Sequence, residues 1–233
     1  MYNFIYILAF LSGNVYAQFN EFRAEYTAEY QGLPVKANAV RELIKLDEHR
    51  YRLVSSVQSI MIEIKETSEF EYQNHRLRPL SYSYRRSGLF KEKTEKLKFD
   101  WDQYQLIFAD KRLRLDAGTL DKLSLQQQLS EDVAELIETG KTVTEIRYQV
   151  ADEGNRKSYH FKILVEETLE TPLGKFRTIP VERIRYKKGR RTRFWLATDH
   201  EYLLIKAIQK QNEGAIELNL VKATVNGVEI NPN

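Results

Sequence analysis

The chain has 233 residues, with 36 Lys and Arg against 33 Asp and Glu, and no Cys. Disulfides, thiolate zinc sites, a Cys nucleophile and a lipid-modified N-terminal Cys are thereby excluded, so the fold must be held by its core. A formal net charge of +3 is too near balance for a nucleic-acid-binding face, and 14 Tyr with 11 Phe against only 5 Pro and 10 Gly favours half-buried strands over linkers.

Phe4 to Leu11 is an apolar run followed by Ser12-Gly13-Asn14 and Val15-Tyr16-Ala17. This is the pattern of a secretory leader with a small residue before the cut expected after Ala17. The run is too short to cross a bilayer, which takes about 20 helical residues. The leader carries no Lys or Arg, so its only positive charge is the amino terminus. The mature chain is expected to start near Gln18, to be exported to the periplasm, to hold no transmembrane segment and to form one β-rich domain over residues 18–233.

From Phe22 the apolar residues Phe22, Ala24, Tyr26, Ala28 and Tyr30 alternate with Arg23, Glu25, Thr27 and Glu29, the period of a strand with one wet face. Gly32 to Pro34 breaks the pattern. Further strands are predicted at Val35 to Leu46, Tyr51 to Val57 and Ile60 to Tyr72, so that four strands precede Pro79. Leu80 to Arg86, Glu92 to Trp101, Tyr104 to Phe108 and Arg112 to Leu115 continue as short strands. The period then changes. Leu120, Leu123, Leu129, Val133, Leu136 and Ile137 fit a helical face, with Ser130 able to cap a second segment and Gly140 ending it.

After Gly140 strands resume at Thr142 to Val150 and Ser158 to Glu166, around a turn at 152–155. Thr178 to Tyr186 pairs with Thr192 to Ala197 across Lys188-Gly189, and Leu203 to Gln209 pairs with Ala215 to Val225 across Asn212-Glu213-Gly214. Hairpins joined by hairpins make a meander. The expected fold is mainly β: a single curved antiparallel sheet or half-barrel, with one or two short helices between about 120 and 139 covering its open side.

Several stretches stand in one order. They are Phe22-x-x-x-Tyr26, Phe99-Asp100-Trp101, the Asp121-x-x-Ser124 step into a Leu/Gln-rich helix, Thr171-Pro172-Leu173-Gly174-Lys175-Phe176, and Phe194-Trp195-Leu196-Ala197. Together they resemble the exported bacterial family known as domain of unknown function 3108, over nearly the whole mature chain. The resemblance implies a periplasmic, β-rich protein similar in architecture to the curved half-barrel of periplasmic lipoprotein carriers, and no established reaction. The segment Thr198-Asp199-His200-Glu201-Tyr202-Leu203-Leu204 lacks the Pro common near the last strands of that family.

Catalytic patterns are weak. His49, His75, His160 and His200 are scattered without a ligand-pair spacing, and no nucleophile elbow occurs. Asp100 and Asp102 flank Trp101 as two acids of a glycosidase would, but on a strand end. Glu166, Glu167 and Glu170 read as an acidic loop. No catalytic residue, metal or cofactor is assigned.

Two binding features remain. Seven basic residues fall between Arg183 and Arg193, and alternation places Arg183, Arg185 and Lys187 on one face, with Arg191, Arg193 and Trp195 sharing a face on the return strand. Arg offers paired donors to anionic oxygens, so this hairpin is a candidate site for lipid phosphate, lipopolysaccharide or an acidic envelope glycan, unless neighbouring acids neutralise it. The second is an apolar face of Phe22, Tyr26, Ile60, Ile62, Ile64 and Trp195, continued by Phe70 and Tyr72, able to line an acyl-chain cavity or simply to pack as core.

The function these features favour is a non-enzymatic periplasmic carrier whose sheet shields an amphipathic ligand. Two alternatives stay open: an interaction factor receiving another envelope protein's strand at a sheet edge, and a glycan hydrolase acting through Asp100.

Overall fold

The computed structural model describes residues 18–30, 36–89, 91–185, 190–211 and 214–232. The leader, the Gly32 to Pro34 break, Lys187 and the Lys188-Gly189 turn lie outside these described residues.

Alternating side chains become strands because each sheet face offers one environment to every second residue. In β1 (Phe22–Tyr30), Ala24, Tyr26 and Ala28 are buried while Arg23 and Glu29 stay exposed. The chain then meanders through β2 (Lys36–Lys45), β3 (Arg50–Gln58), β4 (Ile62–Gln73), β5 (Arg76–Gly88), β6 (Lys93–Asp100), β7 (Gln105–Phe108) and β8 (Lys111–Arg114). Each of these strands is antiparallel to the one before. After the two-residue β9 (Thr119–Leu120) comes one helix, α1 (Ser124–Glu138). The second arm consists of β10 (Glu145–Asp152), β11 (Asn155–Ile163), β12 (Glu167–Thr171), β13 (Gly174–Ile184), β14 (Arg191–Ala197), β15 (Leu203–Gln211), β16 (Gly214–Val225) and β17 (Val228–Glu229).

β1 joins the two arms, pairing with β2 on one edge and with β16 on the other. β11 and β12 share one edge of β13, and β14, β15 and β16 follow in order. β9 runs parallel to β10, while every other strand pairing described is antiparallel. The result is one large sheet whose outermost members are β8 and β9, so it curves without closing. Register shifts at Glu25/Tyr26, Glu69/Phe70 and Trp195/Leu196 bend the strands there.

α1 lies against the concave face. Leu125, Leu129 and Val133 are buried in one cluster with Leu53 and Phe70 of the first arm and Tyr148 and Phe161 of the second. Its start is fixed by Asp121, whose Oδ1 accepts the Leu123 and Ser124 amides at 2.8 and 2.9 Å while Ser124 Oγ accepts the Asp121 amide at 3.0 Å. This reciprocal cap explains the Asp121-x-x-Ser124 step. At the other end Gly140 adopts φ 63°, and its amide and that of Lys141 reach the Ile137 and Leu136 carbonyls, a Schellman ending that needs a left-handed residue. Ser130 does not begin a second helix, because its hydroxyl turns back to the Gln126 carbonyl within a continuous α1.

The strand expected to begin at Leu80, after Pro79, starts earlier, at Arg76. Pro79 sits inside β5, opposite Phe70 at a register shift, and β6 pairs with β5 only from Ser81 onward. The missing N–H is thus tolerated, while the Pro79 carbonyl accepts Trp101 Nε1 at 2.6 Å. Short of β6, the free edge of β5 is completed by a helix side chain. Gln128 of α1 accepts the Leu77 amide at 2.7 Å and donates to the His75 carbonyl at 3.0 Å. Glu167 to Thr171, read from the sequence as acidic loop, forms β12 instead.

Candidate functional site

Between α1 and the inner sheet face lies a cavity of about 330 Å³. It stands at the lower end of the range of ligand pockets, about 300–1,000 Å³. Its apolar wall combines Phe22 of β1, Leu129 and Ala134 of α1, Phe194 and Leu196 of β14, and Leu204 of β15. Phe19 adds a ring that packs on Tyr72 with centroids 3.9 Å apart. Two turns shape the mouth. Asn74 and His75 both have positive φ, the geometry of a two-residue hairpin between β4 and β5, and this brings His75 to the rim. Glu201 and Tyr202 are also both left-handed, at φ 52° and 51°, and Tyr202 is nevertheless buried against the cavity.

At the buried side stand Tyr26 and Arg41. In β2 the odd-numbered residues Ala39, Arg41 and Leu43 face inward, so a guanidinium occupies a core position, with only 7% of the residue exposed. Arg41 Nη1 donates to Gln126 Oε1 of α1, a neutral amide. No carboxylate of the described residues pairs with it at ion-pair distance. Glu66 acts on it from farther away and accepts the Tyr82 hydroxyl at 2.7 Å. Burial lowers the Arg41 pKa from its ordinary value, opposed by the field of Glu66. Tyr26 donates to the Leu204 carbonyl at 2.9 Å, and burial pushes its pKa up to about 12, so it stays neutral and supplies no counter-charge at physiological pH.

The rim is acidic. Glu131, Glu135, Glu138, Asp199 and Glu201 line it, against His75. Glu131 meets His75 Nδ1 at 2.8 Å and accepts the Tyr72 hydroxyl, Glu135 meets Lys141 at 3.2 Å, and Asp199 accepts Arg177 Nε at 2.9 Å. Burial is the first cause raising the Tyr72 pKa, and Glu131 adds to it.

Of the apolar face expected from the sequence, Phe22 and Tyr26 line this cavity. Ile60, Ile62 and Ile64 do not. Ile60 is 96% exposed in the turn before β4, and Ile62 and Ile64 are half-buried at the end of β4 away from Tyr72. Trp195 lies between Phe194 and Leu196 without joining them. It is buried under Arg193 and Lys206, and its Nε1 donates to Glu167 Oε1 at 2.7 Å.

Two arginines of the Arg-rich hairpin share one carboxylate, and none of the hairpin's described residues lines the cavity. Glu182 Oε2 accepts Arg191 Nη2 at 2.6 Å and Arg193 Nη2 at 2.7 Å, while Arg183 lies 3.2 Å from the centroid of the Tyr159 ring. Arg185 Nη2 donates to Thr192 Oγ1 at 3.2 Å. Burial raises the Glu182 pKa, but the two arginines outweigh it and hold the carboxyl below its usual value of 4.5. A depressed folded pKa means stabilisation present above the unfolded value and lost as pH falls through the folded one. Glu182→Gln is therefore expected to destabilise the protein by about 0.5–1 kcal/mol at pH 7, the discounted worth of exposed pairs. The gap between variant and parent should narrow as pH falls below 4.5 and close as it passes through the lower folded value. Urea unfolding across this pH range checks this.

His49 is half-buried in the turn between β2 and β3, His160 of β11 meets Glu145 of β10 at 2.8 Å, and His200 packs edge-on against Phe176. Among the described residues no group of three metal-ligating side chains converges. Asp100 Oδ1 accepts the Gln103 amide at 3.0 Å and so caps the turn into β7; neither Asp100 nor Asp102 lines the cavity. The sequence reading missed Arg41. Its one signal was phase, a cation two residues from Ala39 and from Leu43 on the apolar side of a strand.

The fold has a solved counterpart. A beta-barrel-like protein of domain of unknown function DUF1849 from Brucella abortus superposes with a TM-score of 0.58 at 12% identity, covering 90% of this chain and 99% of that one. At that identity the likeness shows the shared fold. No curated protein matches the sequence. The sequence model of one family, described as a protein of unknown function (DUF3108), matches residues 25–221, which hold β2 to β15 and α1 whole and most of β1 and β16, and the chain belongs to that family.

Proposed function

We propose that this DUF3108 protein is an exported, non-enzymatic binding protein of the periplasm that holds a small, lipid-like amphipathic molecule in the cavity between α1 and the sheet. The observation that carries this reading is the pairing, in one cavity, of an apolar wall with a buried cation that has only a neutral partner. Such a guanidinium lowers stability unless an anion joins it, and polar groups of this kind are typical of binding sites. The two consecutive left-handed residues Glu201 and Tyr202 add support, since backbone strain of this kind collects at ligand sites. The leader of Phe4 to Ala17 supports export. Among the described residues no helix is long and apolar enough to cross a membrane. A shield for chains in an aqueous compartment has physical value, because each exposed CH₂ costs about 0.8 kcal/mol.

The cavity, at about 330 Å³, favours a single short chain over a bulky lipopolysaccharide or glycan. The alternative of another envelope protein adding its strand meets an unfavourable edge. β8 is four residues long and three of them are Lys111, Arg112 and Arg114, a pattern that blunts edge pairing.

Organic extraction of protein purified from its native envelope, followed by mass spectrometry, is expected to release one amphipathic species in near-stoichiometric amount. Ala134→Trp, which fills the cavity from α1, should lose it. Recovery of no small molecule at any loading, or equal recovery from Ala134→Trp, would overturn the reading.

A further inference from the structure

Resting on the cavity as the ligand site, we infer that its ligand carries one carboxylate, inserted head first onto Arg41, and no second negative charge. The buried end and the rim of the cavity have opposite character. At the buried end a guanidinium offers five N–H donors in a planar fork, of which one is seen bonded, to Gln126. A carboxylate matches that fork through two parallel hydrogen bonds, and the surrounding low dielectric strengthens them. The groups beside Arg41 cannot supply this charge themselves. Tyr26 is a neutral phenol already donating to the Leu204 carbonyl, and Glu66, whose field reaches Arg41, does not come within ion-pair distance of it.

The rim sets the second half of the specificity. Glu131, Glu135, Glu138, Asp199 and Glu201 ring the entrance, and Lys141 and Arg177 offset only part of their charge. A group bearing two negative charges, such as a phosphate monoester, meets like-charge repulsion on entry and leaves a surplus charge at the buried end. A single carboxylate is neutralised one to one by Arg41. Between buried end and rim, Phe22, Leu129, Phe194 and Leu204 line the path that a short aliphatic or aromatic tail would occupy. A tail-first pose would instead press methylenes onto the guanidinium and leave Arg41 unpaired.

Calorimetric titration of the delipidated full-length mature protein with decanoate, decanol and decyl phosphate tests this at pH 7. Decanoate is expected to bind about 10- to 100-fold more tightly than either of the others, the range of one charge-assisted hydrogen-bonded pair. Arg41→Met should erase the advantage of decanoate while leaving decanol binding in place. It should also leave the ligand-free protein as stable as the parent or more so, because it removes a buried charge. Arg41→Lys, which keeps the charge but not the fork, should retain part of the preference, and it serves if the Met variant does not fold. Equal affinity for decanoate and decanol, tighter binding of decyl phosphate, or a preference that survives Arg41→Met would overturn the carboxylate assignment while leaving the cavity as a binding site. Failure of all three probes to bind the parent would instead remove the binding reading itself, and the inference with it.

Discussion

Asp121→Ala is expected to destabilise the protein by about 3–5 kcal/mol, near the top of the range for a single substitution. Asp121 is fully buried, and its two carboxylate oxygens accept the Leu123 and Ser124 amides and the Ser68 hydroxyl at 2.7 to 2.9 Å. Alanine removes all three hydrogen bonds at once, and each orphaned buried donor costs about 1–3 kcal/mol, with only the Ser68 hydroxyl free to turn elsewhere. The cap of α1 is lost in the same step, and α1 carries one wall of the cavity.

Asp121→Asn separates hydrogen bonding from charge. Its amide oxygen still serves both backbone N–H groups, and Ser68 can rotate to accept from the amide nitrogen. Burial is the main influence on the Asp121 pKa and raises it despite the opposing hydrogen bonds. A raised acid pKa means stability that is complete below the unfolded value of 3.8 and declines as pH rises through the folded one. Removing the ionisable group ends that decline, so Asp121→Asn should stay within about 1.5 kcal/mol of the parent at pH 7. Urea unfolding of both variants checks the pair, and equal losses would refute the capping role.

Phe70→Ala is expected to cost about 3–5 kcal/mol, whereas Ile60→Ala should change stability by less than about 0.5 kcal/mol. Phe70 has no exposed surface and packs on Tyr51 with ring centroids 6.1 Å apart and on Phe19 at 6.3 Å. Ile60 is 96% exposed. Thermal unfolding should separate the two variants by roughly 10 °C for a chain of this size. A loss for Ile60→Ala as large as that for Phe70→Ala would mean that the tip before β4 is packed.

These two residues also mark where the sequence stops being informative. Alternation correctly puts Ile62, Ile64, Phe70 and Tyr72 on one face of β4, since backbone geometry enforces a period of two. It cannot say how far along the strand the face is covered. Cover depends on α1, which reaches β4 and β5 through Asp121 to Ser68 and through Gln128 to Leu77, contacts 53 and 51 positions apart. Beyond Ser68 toward Ile60 the inward face meets polar groups or solvent instead of helix. The hairpins, the end of α1 at Gly140 and the curved, mostly antiparallel sheet were legible because each is encoded by neighbours in sequence.

Arg41 and the hairpin arginines show the converse limit. Clustered charge draws the eye to Arg183 through Arg193, yet Glu182, which sits in the same run, meets Arg191 and Arg193 across the hairpin. Arg41 has no charged cluster to advertise it, and its importance comes from Gln126, 85 positions away on α1. Tertiary proximity decides which cation is neutralised, and a linear pattern carries that information only through the phase of a strand.

The seam between β1 and β16 has a kinetic consequence. Glu21 and Asn226, joined by a hydrogen bond across 205 positions, stand at one end of it. Each arm can zip its own hairpins as soon as it is made, but the first strand keeps one side unsatisfied until β16, at Gly214–Val225 of 233 residues, arrives. Such distant closure is slow, with rates falling as the mean separation of contacts grows. The C-terminal strands thus work as a clasp, and a nick ahead of β16 should loosen the beginning of the chain as surely as its end.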